Sequence, residues 1–175
     1  MTGIHAHPTR KLGLTPHGKP DAQLLAIHWK TLPAYPATVD HMTGVTPGMD
    51  GNDRFGVCGP TSADNHNRIT TLFESGTEHD APLADVFDLY RRSGNPRFDP
   101  ATGADDNGVS MDVMMAALKN GGLGGKKIVA YGRLADTSDP SIRAAIYLFG
   151  AVLFAVDLQT AQQQGSTWDY SPSPD

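Results

Sequence analysis

The sequence predicts an α+β fold, with helices first along the chain and strand-like segments, mixed with one further helix, only toward its end. Three observations carry this. Apolar residues recur at helical spacing in separate stretches between Pro60 and Phe149. Two apolar, β-branched runs, Lys127 to Leu134 and Ala151 to Leu158, come late. The 175 residues include 19 glycines and 13 prolines, which suits one loop-rich domain with a single core.

Residues 1 to 20 carry Arg10, Lys11 and Lys19, no acidic residue, and Pro8, Pro16 and Pro20. They read either as an extended basic arm or as a disordered tail. Leu24, Leu25, Ile27 and Trp29 predict a short helix over Asp21 to Lys30 with Asp21 as N-cap. Residues 1–31 thus form an arm and short helix ahead of a domain spanning 32–175. From Leu32 to Phe55 prolines and glycines are too frequent for a long element, and a structured loop is expected.

Pro60 is preorganised for a first helical turn, and Ala63, Ile69, Leu72 and Phe73 continue that helix. A second helix over about Pro82 to Arg92 carries Leu83, Val86, Phe87, Leu89 and Tyr90 on one side and closes at Gly94. Asp99 to Val109 is a polar loop. A third helix follows, with Ser110 as N-cap, Met111, Val113, Met114, Ala117 and Leu118 as its buried side, and Gly121-Gly122 as its stop. Lys127 to Leu134 reads as a strand. Ser138 or Asp139 with Pro140 opens a fourth helix that runs to about Phe149, Gly150 ends it, and Ala151 to Leu158 reads as a buried strand. Gln162 to Asp175 is polar and proline-rich, and no internal repeat is present.

A formal charge of −5 without a clustered basic surface argues against nucleic acid as a partner. The longest apolar run, Ala144 to Val156, is too short to span a bilayer and is interrupted by Gly150, so no membrane span is expected. Residues 1–20 lack the apolar stretch of a secretory signal, which favours a virion or the cytoplasm as location. The single cysteine excludes an internal disulfide framework and a four-thiolate metal site. No cofactor and no metal are expected. Gly121 to Lys127 lacks the ending of a phosphate loop, and Asp50 to Asp53 lacks the spacing of a calcium loop. Asp105-Asp106-Asn107 could hold a calcium ion or form a solvated loop before the third helix, and the second reading is preferred.

The residue with the most chemical promise is Cys58, in Gly56-Val57-Cys58-Gly59-Pro60-Thr61-Ser62. The proline places it at a helix N-terminus, where backbone N–H groups and the macrodipole favour a thiolate. A cysteine before a helix can equally be a small buried hydrophobe. The flanking residues add to the first reading. Leu32-Pro33, Thr38-Val39-Asp40-His41, Val45-Thr46-Pro47 and Gly56-Val57-Cys58 resemble, at comparable intervals, the opening of the mature papain-family peptidase domain. Asn107 to Asp112 before a helix ending Lys119-Asn120-Gly121-Gly122-Leu123, and Ile142 to Val156, resemble later parts of the same family. Gly51-Asn52-Asp53-Arg54-Phe55-Gly56-Val57-Cys58 with Lys11-Leu12-Gly13 is similar to a bacterial and actinobacteriophage branch, and Cys-Gly-Pro-Thr-Ser resembles bacteriocin-processing cysteine peptidases of the same fold. The resemblance covers about residues 32 to 158.

That resemblance implies a papain-like cysteine peptidase fold whose helical half carries the nucleophile helix, with an incomplete β half. It implies Cys58 as nucleophile and Asn52, six residues earlier in the place of the family's Gln, as an oxyanion-hole donor beside the Cys58 N–H. Asn is one methylene shorter than Gln, and Asp50 to Asp53 also reads as an Asx turn. The family's histidine base and its Asn partner fall about 130–150 residues after the cysteine, beyond Asp175. His66 lies on the nucleophile helix about 12 Å along its axis and reads as a solvated side chain. His41 stands where the family has Trp and reads as a loop residue, and His5 and His7 have no positional support.

The expected function is a thiol peptidase or amidase on peptide or protein substrates, such as peptidoglycan crosslinks or a phage structural protein, with an incomplete site that is expected to leave the 175-residue form inactive. The alternative is a catalytically silent virion or surface protein that reuses the fold and contacts neighbouring virion subunits through residues 1–20.

Overall fold

A computed structural model describes residues 26–27 and 30–156. In chain order its elements are β1 (Ala26–Ile27), α1 (Cys58–Ser75), α2 (Leu83–Arg92), α3 (Met111–Asn120), β2 (Arg133–Leu134) and α4 (Asp139–Phe149). The class is mixed and mainly helical with little strand, which agrees with α+β in its broad sense. Among the described residues the only sheet is the parallel pair β1 and β2, with Ala26 opposite Arg133 and Ile27 opposite Leu134.

Each helix stops for a local reason. α1 ends where Gly76 adopts φ +70° and its N–H returns to the Leu72 carbonyl, a left-handed close that side chains resist. α2 starts after Pro82 and bears Asp85 in its first turn and Arg91 and Arg92 in its last, the charge order that the helix dipole favours. α3 begins after Ser110 and gives way to Gly121. α4 has Pro140 in its first turn and ends at Gly150.

Helices α1, α2 and α3 pack on one another. Val57, Ala63, Val86, Leu89, Tyr90, Val109, Met114 and Leu118 form the core between them. An aromatic group closes one end. Phe98 meets Phe55, Phe87 and Tyr90 edge to face with centroids 5.2, 5.4 and 4.8 Å away. Edge-to-face pairs are worth about 0.5–1.5 kcal/mol each beyond the area they bury. At Gly59, α1 packs closely on α3 and the residue leading into it: a Cβ there would lie 2.7 Å from Val109 Cγ2 and 2.8 Å from Met114 Sδ. The N-terminal end of α4 is organised by Asp136, which accepts from the Ser138 N–H at 2.8 Å and from the Ser138 and Ser141 hydroxyls at 2.8 and 2.7 Å. Its other end leans on α1 through His66 and the Phe149 carbonyl, 3.2 Å apart.

Several sequence expectations are corrected here. Ala26 and Ile27, inside the expected Asp21–Lys30 helix, pair as a strand with β2, so a tertiary partner overrides a short local periodicity. Residues 21–25, 28 and 29 of that segment, the 1–20 arm, Gln162 to Asp175 and residues 157–158 of the expected last strand lie outside the described residues. Of the expected strand Lys127 to Leu134 only Arg133–Leu134 pairs, and Val129 is 91% exposed. Residues 151–156 form no strand, and Phe154 is 77% exposed: an apolar run becomes a buried strand only where neighbouring strands cover it. Leu83 and Val113 face solvent at the edges of their helices' apolar sides, and so does Phe73 on α1.

Candidate thiol site

Cys58 is the first residue of α1 and is half-buried. The residue before it, Val57, is fully buried, and its carbonyl accepts the first helical bond, from Thr61 N–H at 3.0 Å. Val57 makes no side-chain cap bond, and the first N–H groups of α1 point toward this end of the helix. Those donors and the dipole of an 18-residue helix favour negative charge at this end. Local sequence dictates the arrangement: Pro60 supports the first turn, and buried Val57 anchors the chain in the core just before Cys58.

Asn52 sits in the turn that leads into the helix. Its N–H bonds the Met49 carbonyl at 2.6 Å, and the Arg54 and Phe55 N–H groups both bond the Gly51 carbonyl at 3.0 Å. Gly51 takes φ +83° and lies so close to Phe87 that a Cβ would meet its ring at 3.1 Å. Asn52 and Cys58 therefore belong to one turn-rich segment anchored at both ends, with Asn52 half-buried. The Asx-turn reading of this stretch is half right: it is a turn, but Asp50, at φ 45°, faces Arg68.

The fastening of that segment is invisible in the hydropathy pattern. Thr61, Asn65 and Arg68, on one side of α1, hold residues 46–49. Thr61 Oγ1 donates to the Met49 carbonyl at 3.4 Å, Asn65 exchanges two bonds with the Gly48 backbone at 2.8 and 3.1 Å, and Arg68 Nη1 donates to the Thr46 carbonyl at 3.2 Å. Arg68 is itself surrounded by acids: Asp64 at 2.8 Å, Glu78 at 3.4 Å, Asp50 at 3.5 Å, and Asp80. Burial opposes the charge on Arg68, but these carboxylates, Asp64 first, outweigh it and raise its pKa. Burial, and then the negative charge of Asp64, pushes the Asp50 carboxyl above its ordinary value despite Arg68. Asp50, Asp64 and Asp80 bring one oxygen each within 4.8 Å of one another, a spacing that a hard cation could use, but the guanidinium already serves as their counter-ion.

A second buried network lies beside the nucleophile turn. Asp106 Oδ1 accepts both the Gly56 N–H at 3.0 Å and the Tyr90 hydroxyl at 2.7 Å, and the Tyr90 oxygen accepts the Gly108 N–H at 2.7 Å. Tyr90 is fully buried and Asp106 is 6% exposed. Burial, and then the bond to Asp106, raises the Tyr90 pKa, and a charge on Cys58 acts in the same direction. Asp106 corrects the solvated-loop expectation for Asp105-Asp106-Asn107. The run of polar residues gave no periodic signal by which one acid could be singled out, and only the fold turns Asp106 inward.

The described histidines are engaged elsewhere: His66 with the Phe149 carbonyl, His79 with the Gly124 carbonyl at 2.7 Å, and His41 edge-on to Phe73 with centroids 6.4 Å apart. His66 ties α1 to α4 through a solvent-exposed bond, a contact the sequence does not predict, while His41 is in a loop as expected. No helix among the described residues is long and apolar enough to cross a membrane. Compared with known proteins, the chain matches no family model, no curated protein and no solved structure.

Proposed function

We propose that the protein is a papain-like thiol peptidase or amidase in which Cys58 is the nucleophile. The observation that carries the reading is the half-buried Cys58 thiol at the N-terminus of α1, where helix donors favour the thiolate. In the reaction the thiolate adds to a peptide carbonyl and the C–N bond breaks. The amine leaves with a proton from the general acid, and water cleaves the thioester. Asn52 and the Cys58 N–H serve the developing oxyanion. The base is a histidine-type group supplied from outside the described residues. The helical half of the papain-like fold corresponds, in this proposal, to the packed unit of α1, α2 and α3.

A peptide bearing a thiol-reactive electrophile tests the reading. One adduct at Cys58, forming faster than on a surface-cysteine control peptide, is the expected result. An unmodified Cys58 under conditions that label the control removes the nucleophile role. A silent packing module is the second reading, favoured by the exposed Leu148, Phe149, Phe154 and Val156 at and after the end of α4.

A further inference from the structure

The polar loop that precedes α3 holds one carboxylate, Asp106, that bonds the turn leading to Cys58 and that neither composition nor motif assigns. We propose that Asp106 is the positioning residue of the nucleophile turn: it fixes the direction in which the chain enters α1 at Cys58, and its charge sets how readily the thiol ionises. The inference rests on Cys58 being the reactive group.

The argument starts from bonding. One oxygen, Asp106 Oδ1, takes two donors that come from different parts of the chain: the Gly56 N–H, two residues before Cys58, and the Tyr90 hydroxyl of α2. Tyr90 in turn takes the Gly108 N–H, which returns to the loop holding Asp106. The ring of contacts therefore locks three segments together at the base of the nucleophile helix. A carboxylate buried to this degree is costly unless its partners are fixed, so the turn is held where those partners need it. The arrangement exceeds what is needed to close a loop, since a neutral acceptor would satisfy the same Gly56 N–H. What a carboxylate adds over a neutral acceptor is charge, held by its bond to Gly56 two residues before Cys58, and like charges raise the cost of ionisation.

Other charged groups on the surrounding elements are turned away or engaged. Asp53 and Arg54 of the preceding turn are exposed. Arg91 of α2 donates to the Phe98 carbonyl at 2.9 Å and Asp105 accepts from the Arg97 N–H at 2.9 Å. Asp64 of α1 is held by Arg68 and the Ala81 N–H, and Asp112 lies in the first turn of α3. Asp106 is the acid whose bond reaches the nucleophile turn itself.

The test uses the only cysteine in the chain, so that alkylation by iodoacetamide reports Cys58 alone. The rate is followed against pH for the full chain as wild type, Asp106→Asn and Tyr90→Phe, each checked for native far-UV circular dichroism. Asn can keep both accepted bonds through its Oδ1 and removes only the charge. D106N is expected to lower the pH midpoint by about half a unit to one unit, the direction that removal of a like charge requires. Y90F breaks the same network and keeps the charge, so its midpoint stays at or above that of wild type. A D106N midpoint equal to wild type, or an equal fall in both variants, overturns the proposal, the second because loosening alone would then explain it. Should D106N not fold, Asp106→Glu substitutes: it retains the charge at a longer reach, and an unchanged midpoint with a plateau rate altered at least threefold upholds positioning, whereas an unchanged plateau overturns it. The iodoacetamide titration is readable even if the peptide electrophile never labels Cys58, so failure of the peptidase reading and failure of this inference are separate results.

Discussion

Arg68 donates through Nε to Asp64 Oδ2 at 2.8 Å, one helical turn earlier on α1, and both side chains are almost wholly shielded from water. Asp64 spends its other oxygen on the Ala81 N–H at 3.1 Å, while Arg68 reaches across to Thr46. The pair thus joins the chain on both sides of α1, and through residues 46–50 it supports the turn that carries Asn52.

Replacing Arg68 by Met keeps the packing stem and removes the counter-ion from Asp64, Glu78, Asp50 and Asp80. Breaking a buried pair from one side costs about 3–5 kcal/mol, because the other charge stays behind. Urea denaturation of R68M is expected to show a loss of that size, and a loss below about 1 kcal/mol would mean that the acids escape to solvent without cost.

Asp50 acts in the opposite sense. Its carboxyl is raised in the folded state, chiefly by burial, so the folded chain holds that proton more tightly than the unfolded chain does. The charged form therefore weakens the fold at neutral pH, and the penalty disappears as pH falls through the raised folded value toward the unfolded one. Asp50→Asn is expected to be at least as stable as wild type near neutrality, with the two urea midpoints converging in acid. An advantage of D50N that grows on acidification would reverse the sign.

Gly59 tests the closeness of α1 and α3. Alanine is the better helix former by about 1 kcal/mol, yet its methyl would press on Val109 and Met114. Overpacking of this kind costs about 1–3 kcal/mol. Gly59→Ala is expected to lower thermal stability on balance, and G59A paired with Val109→Ala to recover part of the loss. A stabilised G59A would show that the helices separate freely.

For Asn52 the expectation is kinetic and follows the proposed hydrolysis. Removing one oxyanion donor typically lowers kcat by about 10²–10³-fold. Asn52→Ala is expected to lose kcat with KM nearly unchanged, and Cys58 alkylation by iodoacetamide, which builds no oxyanion, should continue at the wild-type rate. Equal losses in both assays would assign Asn52 to the turn's structure instead.

The sequence by itself determined the elements whose signals are local. Pro60 opens α1, Pro140 and Gly150 bracket α4, and Cys58 is placed at a helix start by residues within a few positions of it. These features follow from backbone sterics, which neighbours in sequence settle. Tertiary structure alone decided the rest. Ala26 and Ile27 became a strand because Arg133 and Leu134 lie beside them, and the apolar residues 151–156 did not become one among the described residues because no strand covers them. Arg68 and Asp106 carry no periodic mark, and their importance comes from partners up to 50 positions away. A buried charge is defined by what surrounds it in space, and hydropathy read along the chain does not contain that information.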